Sequence, residues 1–232
     1  MQKRTFGYFV ATLVLFVSPA FAARNFYNVD QRSGWSACSE CAGAGGQAIY
    51  SMKQGISSPS LDGSAAQFNL SGTVPFSHAL FWNRLGNADS TETHFTLDLQ
   101  YYLKNPAVSQ GLEIAANQAY GGKRYKWSMQ CSFASGDWRT WDAANGRWVP
   151  TGIACTRPSA YKWQHFYWEY QRVNGKSLYI SLTIDGVKHY LNKSFGPENY
   201  SQNGMSVRYQ INGNSTETSY SAWVDKMNFK AW

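Results

Sequence analysis

The sequence predicts an all-β protein built as an antiparallel sandwich. Short runs of alternating apolar and polar residues recur from about residue 66 to the C-terminus, turn residues separate them, and no segment sustains a helical period. Composition points the same way. Ten Trp, 15 Tyr and 13 Phe make 38 aromatic residues in a chain of 232, while only 15% of residues are charged. A hydrophobic share of 44% excludes disorder, and the scarcity of charged residues excludes a coiled coil or long bundle. The length suits one sandwich domain.

The elements follow in chain order. Residues 23–64 are rich in Gly, Ser and Asn and read as an irregular N-terminal segment packed on a sandwich that occupies 65–232. A first strand is expected around Ala66–Leu70. Phe95, Leu97, Leu99, Tyr101 and Leu103 alternate with polar neighbours up to Asn105-Pro106. Leu112, Ile114 and Ala116 alternate with Glu113, Ala115 and Asn117, and Tyr120-Gly121-Gly122 signals a hairpin into Tyr125, Trp127, Met129, Cys131 and Phe133. A loop carrying Trp138, Trp141 and Trp148 follows. A strand from Trp163 to Arg172 turns at Val173-Asn174-Gly175-Lys176 into Leu178, Ile180, Leu182 and Ile184, and Asp185-Gly186 turns the chain again. Met205, Val207, Tyr209 and Ile211 define another strand, and the last lies around Ser221–Lys230.

Residues 1–22 read as a secretory signal peptide: basic Lys3-Arg4, an apolar run from Phe6 to Val17, and Ala20-Phe21-Ala22 as a small-x-small end. That run is too short to span a bilayer comfortably, and no later stretch is long enough, so the expectation is secretion, extracellular or periplasmic, with no membrane span. The formal net charge of +7 becomes +5 without Lys3 and Arg4. The remaining Lys and Arg residues are scattered rather than gathered in a stripe, which argues against nucleic acid but allows attraction to acidic polysaccharides. The expected state is a monomer. In a secreted chain four cysteines are disulfide candidates with three pairings, and proximity favours Cys38–Cys41 and Cys131–Cys155. The second closes about 25 residues, worth on the order of 3 kcal/mol by chain entropy. His78, His94, His165 and His189 show no metal-ligand spacing, and no Gly-x-Ser-x-Gly elbow is present.

The strands also sort by face. Their polar sides carry Asp98, Gln100 and Tyr102; Glu113 and Asn117; Lys126, Ser128 and Gln130; His165, Tyr167 and Glu169; and Arg208 and Gln210. As neighbours in one sheet these would form a face of amides, carboxylates, cations and phenols suited to sugars. The expected ligand-binding residues are Glu113, Asn117, Gln130, His165, Tyr167, Glu169 and Arg208, with Trp82 or Trp138 as platforms at the rim. The expected partner is an extracellular polysaccharide or glycan, bound without catalysis.

The segments Trp163–Tyr170 and Gly175–Gly186 together resemble the hairpin of laminin G-like and other concanavalin A-like jelly rolls, and Tyr220–Met227 is similar to their closing strand. The resemblance covers about residues 65–232. Cys38–Gly43 and Ala79–Gly86 are similar to a group of secreted bacterial members with no settled activity. The resemblance implies a two-sheet antiparallel jelly roll with a concave face, in a superfamily of lectins, carbohydrate-binding modules, glucanases and lyases. Its retaining glucanases carry Glu-x-Asp-x-x-Glu on one strand. The matching stretch here is Glu113-Ile114-Ala115-Ala116-Asn117-Gln118, with Gln118 in place of the general acid, so that mechanism is lost. The catalytic alternative is a hydrolase pairing Glu113 with Glu169 across strands. A lyase would use Tyr167 or His165 as base and Arg208 or Gln130 to neutralise a uronate. Jelly rolls of this type often hold a structural calcium, for which Asp225 on the closing strand is the expected ligand; no other cofactor is expected.

Overall fold

The computed structural model describes residues 23–41, 46–71 and 74–232, and the signal peptide expected at 1–22 lies outside them. The strands are β1 (Arg24–Phe26), β2 (Trp35–Cys38), β3 (Gly46–Gln47), β4 (Tyr50–Ile56), β5 (Ala65–Leu70), β6 (Ser77–Gly86), β7 (His94–Leu103), β8 (Ser109–Tyr120) and β9 (Lys123–Ser132). They continue with β10 (Asp137–Asp142), β11 (Arg147–Ala154), β12 (Trp163–Val173), β13 (Lys176–Ile184), β14 (Val187–Phe195), β15 (Glu198–Asn199), β16 (Gly204–Gly213) and β17 (Tyr220–Ala231). The first sheet runs β14-β13-β12-β7-β17-β5-β4, with β1 on β17. The second runs β11-β10-β9-β8-β16-β6-β2, with β15 on β9 and β3 on β6. Pairing is antiparallel except for the two-residue contact of β3 with β6. The two sheets close on one another as the expected jelly-roll sandwich.

Alternation explains why the sheets face each other. On β7, Phe95, Leu97, Leu99, Tyr101 and Leu103 are buried while the residues between them are half-buried. Trp127 and Met129 on β9, Ile114 on β8, Val207 and Tyr209 on β16, and Trp168 and Tyr170 on β12 meet the same core. Its centre is aromatic: Tyr170 lies 4.4 Å from Trp168, 4.9 Å from Trp127 and 5.5 Å from Phe95 between ring centroids. Much of the aromatic excess is therefore interior packing. The expected turns are present. Asn174-Gly175 (φ 50° and 69°) and Asp185-Gly186 (φ 47° and 85°) adopt the positive φ values that two-residue hairpins demand, which Gly and Asn tolerate best.

Two parts of the sequence reading are corrected. The segment 23–64 is not an irregular appendage: β1 and β4 join the first sheet, and β2 and β3 the second. These are short pieces at or near the sheet margins, so few of their residues have a buried side and apolar alternation is weak. The stretch with three tryptophans is not a loop but the hairpin β10–β11, with Trp141 opposite Trp148. Disulfides join Cys38 to Cys41 and Cys131 to Cys155, the latter tying β9 to the end of β11.

Candidate functional site

The outer face of the second sheet holds a cavity of ≈ 780 Å³. Its floor follows from side-chain parity. With Leu112 and Ile114 turned into the core, Glu113 and Ala115 face outward from β8. Lys126, Ser128 and Gln130 do so from β9, Arg208 and Gln210 from β16, and His78 and Leu80 from β6. Arg139, Trp141 and Trp148 form the wall on the β10–β11 side. A second cavity of ≈ 550 Å³ shares Cys41, Leu80, Lys126 and Arg208 with the first and adds Trp82, Arg84, Asn117, Arg124 and Tyr200. The two make one groove across the sheet. The Cys38–Cys41 loop borders it and is held by Ser39 Oγ, which donates to the His78 carbonyl at 2.6 Å.

Arg208 is the centre of this groove. With the Asn117 amide turned to satisfy both of its ends, Asn117 Oδ1 accepts from Arg208 Nη2 at 2.7 Å and Nε at 2.8 Å, which fixes the guanidinium plane. Burial pushes the Arg208 pKa down and Arg124 adds to this, while Glu113 opposes it; the guanidinium stays charged. Glu113, on the floor between Gln130 and Gln210 of the neighbouring strands, has its carboxyl pushed up to about 7 by burial, against the pull of Arg208 and Lys126. Lys126 is likewise lowered by burial, in part offset by Glu198. Glu198 pairs with both Arg124 and Lys126 (3.3 Å to the latter), and those partners outweigh burial to hold it below the usual carboxylate range. The Arg124 guanidinium lies 4.2 Å over the Tyr200 ring, and the Trp141 and Trp148 rings meet edge to face at 5.1 Å.

Of the residues expected to bind ligand, Glu113, Asn117, Gln130, Arg208 and Trp82 come together here. The others do not. His165, Tyr167 and Glu169 lie on β12 in the first sheet, with Phe166, Trp168 and Tyr170 between them pointing inward, so they occupy the opposite outer face. There His165 contacts Asp98 at 2.7 Å, and Glu169 contacts His94 at 2.9 Å and Lys188 at 3.5 Å. Burial raises the Glu169 carboxyl, but His94 and Lys188 outweigh it and hold it below the usual range. Trp138 is not a rim platform: it is 2% exposed, packed against Phe166 at 5.7 Å.

These placements remove the Glu113–Glu169 pair as a catalytic dyad. Sheets packed face to face stand about 10 Å apart. Two carboxyls pointing away from opposite sheets then exceed both glycosidase spacings, about 5–5.5 Å for retention and about 6.5–9.5 Å for inversion. A base at Tyr167 or His165 is separated from Arg208 and Gln130 in the same way. The groove residues beyond those expected are Arg84, Arg124, Lys126, Arg139, Trp141, Trp148, Tyr200 and His78. Arg124 and Lys126 share the parity of Gln130 on β9, which marks their face; Tyr200 follows the short β15 and has no periodic signature.

Asp225 sits where β17 breaks register, with Lys226 at φ 53°. Its Oδ2 accepts from Ser60 Oγ at 2.7 Å and its Oδ1 from the Lys226 N–H at 2.8 Å. Close by, Asp30 accepts from the Met227 N–H at 2.8 Å through Oδ1, while its buried Oδ2 has no partner among the described residues. Burial pushes the Asp30 carboxyl up to about 7, and the charges of Asp225 and Asp62 push it further in the same direction. A buried carboxylate oxygen left without a described partner, in the field of Asp225 and Asp62, suits a hard cation. Among the described residues no three His, Cys, Asp or Glu are grouped as a full ligand set, so backbone oxygens would have to complete the shell.

No family model matches the chain, and no curated protein matches it in sequence. Solved structures do match. The endo-β-1,4-glucuronan lyase of the fungus Trichoderma reesei superposes with TM-score 0.56 at 11% identity, over 88% of this chain and 94% of that one. The cellulose-induced protein Cip1 gives 0.54 at 13% identity, over 87% and 95%. Arcelin-5, a lectin-like defense protein from Phaseolus vulgaris, gives 0.52 at 13% identity, over 90% and 98%. At these identities the likeness is one of fold, and the fold is the concanavalin A-like jelly roll.

Proposed function

We propose that this concanavalin A-like jelly roll is a secreted protein that binds a carbohydrate chain along the groove of its second sheet without cleaving it. The observation that carries the reading is the composition of the groove. It offers amides (Asn117, Gln130, Gln210), guanidinia and tryptophan rings, the groups that grip sugar hydroxyls and sugar C–H faces, but a single carboxylate, Glu113, among its described lining residues. Hydrolysis by a carboxylate pair needs two. A lyase and a lectin-like protein among the structural neighbours support a carbohydrate ligand in general. Two disulfides agree with an oxidising compartment, and none of the described helices is long and apolar enough to cross a membrane.

A glycan array checks this directly. At least one polysaccharide should be retained, and Trp141→Ala combined with Trp148→Ala should weaken retention about ten-fold through lost ring contacts. Neither reducing ends nor unsaturated sugars should accumulate. An array with no bound glycan sinks the reading. A second reading, a polysaccharide lyase, is favoured by Tyr200, a phenol lining the same cavity as Arg208 under the Arg124 guanidinium. A base of that kind beside a carboxylate-holding cation is what β-elimination needs. Unsaturated product that disappears in Tyr200→Phe would put the lyase first.

Calcium belongs to the same proposal as a structural ion. Asp30 and Asp225 would hold it, and it would supply the positive charge that their buried carboxylates lack. In chelator, the raised Asp30 carboxyl makes the folded state bind the extra proton between about pH 4 and about pH 7. Stability contributed by this group is therefore present at low pH and lost as pH rises through about 7. The melting midpoint should fall over that window, and millimolar calcium at pH 7.5 should restore it. Asp30→Asn should abolish both responses.

A further inference from the structure

We propose that the chain lying in this groove is a polyuronate, with a sugar carboxylate seated against Arg208 above Ala115. The inference rests on the carbohydrate-binding reading and names the substrate class. Five cationic side chains line the joined cavities: Arg84, Arg124, Lys126, Arg139 and Arg208. Protein carboxylates answer some of them. Glu198 pairs with Arg124 and Lys126, and Asp137 with Arg139 at 3.1 Å. Arg208 has no such partner: among the described residues no carboxylate oxygen comes within ion-pair distance, and Asn117 takes only one edge of its guanidinium. A half-buried guanidinium held in plane by an amide, with its ion pair left to be supplied, is built for an oxyanion. The residue below it is Ala115, which lies opposite Ser128 on β9 and Arg208 on β16. These small side chains leave room above the sheet where Arg208 and Lys126 converge.

Glu113 adds a pH-dependent hydrogen-bond donor to this oxyanion site. It shares the cavity with Lys126 and Gln130 from β9, Arg208 and Gln210 from β16, Arg139 and Trp141 from β10, and His78 from β6, and its charge adds to the burial that raises the Tyr179 hydroxyl of β13. Its carboxyl keeps its proton to about pH 7. Below that, it can donate a charge-assisted O–H···O⁻ hydrogen bond to a uronate carboxylate beside Arg208. Above it, an ionised Glu113 repels the same group. Affinity for a polyuronate should therefore decline as pH rises through about 7.

The experiment is affinity electrophoresis or calorimetry of the full secreted chain with polygalacturonate, polymannuronate and polyglucuronate, a carboxyl-reduced form of each, and a sulfated galactan. At least one polyuronate should bind at least ten-fold more tightly than its carboxyl-reduced form. That affinity should fall about ten-fold from pH 5.5 to pH 8.5, and Glu113→Gln should flatten the profile. Equal or tighter binding of a reduced, neutral polymer overturns the polyuronate assignment but leaves the carbohydrate-binding reading standing. So does a preference for the sulfated galactan. Binding of none of the polymers overturns both. Cleavage of a polyuronate to unsaturated product supports the substrate class while displacing the non-catalytic reading.

Discussion

Trp168→Ala is expected to destabilise the protein by about 3–5 kcal/mol, lowering the thermal midpoint by roughly 10 °C in a chain of this size. Trp168 is fully buried on β12, 4.4 Å from Tyr170 and 5.7 Å from Tyr179 between ring centroids. Truncation leaves a cavity walled by rings that cannot collapse without losing their own contacts. The loss also reaches the groove. Tyr179, which packs on Trp168, donates its hydroxyl proton to the Trp141 carbonyl at 3.0 Å and accepts from the Ser128 N–H at 2.9 Å. The aromatic core therefore fixes β10 and β9, two of the strands that carry groove residues. Tyr170→Phe supplies the contrast: the ring stays and only a buried hydroxyl with no partner among the described residues is removed. It should be neutral or stabilising by up to about 1 kcal/mol. Denaturant melts of both variants check the pair, and a Trp168→Ala loss below about 1.5 kcal/mol would contradict the packing argument.

What the sequence makes legible is parity, because the two-residue repeat is written into most strands; β13 departs from it, burying Ser177, Tyr179 and Ser181 rather than Leu178 and Ile180 around a register break. Glu113, Asn117, Gln130 and Arg208 share a face with one another since each alternates with residues that only a core would accept. Parity does not say which sheet a strand joins. His165, Tyr167 and Glu169 have the same outward signature as Glu113, but β12 pairs with β7 and β13 while β8 pairs with β9 and β16, so the two outward sets end back to back. Strand order depends on contacts far apart in sequence, which no local pattern records. The tryptophans of β10 make the same point at shorter range. Trp138 and Trp141 are three residues apart, so one points inward and the other into the groove, and composition alone cannot separate them. The superfamily resemblance covered the sandwich and the closing strand. Within 23–64 it touched only Cys38–Gly43, and the strands there are marginal and largely lack a buried face.

Arg208→Ala should weaken polysaccharide binding about 100-fold, a larger effect than any other single change in the groove. Losing one partner of a desolvated, hydrogen-bonded charge pair typically costs about 2–5 kcal/mol, of which each 1.4 kcal/mol is about ten-fold in affinity. Two further consequences push the same way. Asn117 Oδ1 loses the guanidinium that it accepts from, which leaves the amide held through its donation to the Ala116 carbonyl at 3.1 Å and less firmly fixed in its binding orientation. Glu113 loses a cation that opposes the effect of burial, so its carboxyl moves further above about 7. Arg208→Lys separates charge from geometry, because an ammonium keeps the charge but cannot present a planar fork. It should recover only part of the loss, an intermediate affinity about ten-fold below the native protein. The strong salt dependence expected of a groove that recognises charge should drop in Arg208→Ala and persist in Arg208→Lys. Calorimetry at two ionic strengths reads both quantities, with an unchanged far-ultraviolet spectrum as the control for folding. Equal affinities for native protein and Arg208→Ala would remove the guanidinium from the site, and with it the reason why this sheet face, rather than the opposite one, carries the ligand.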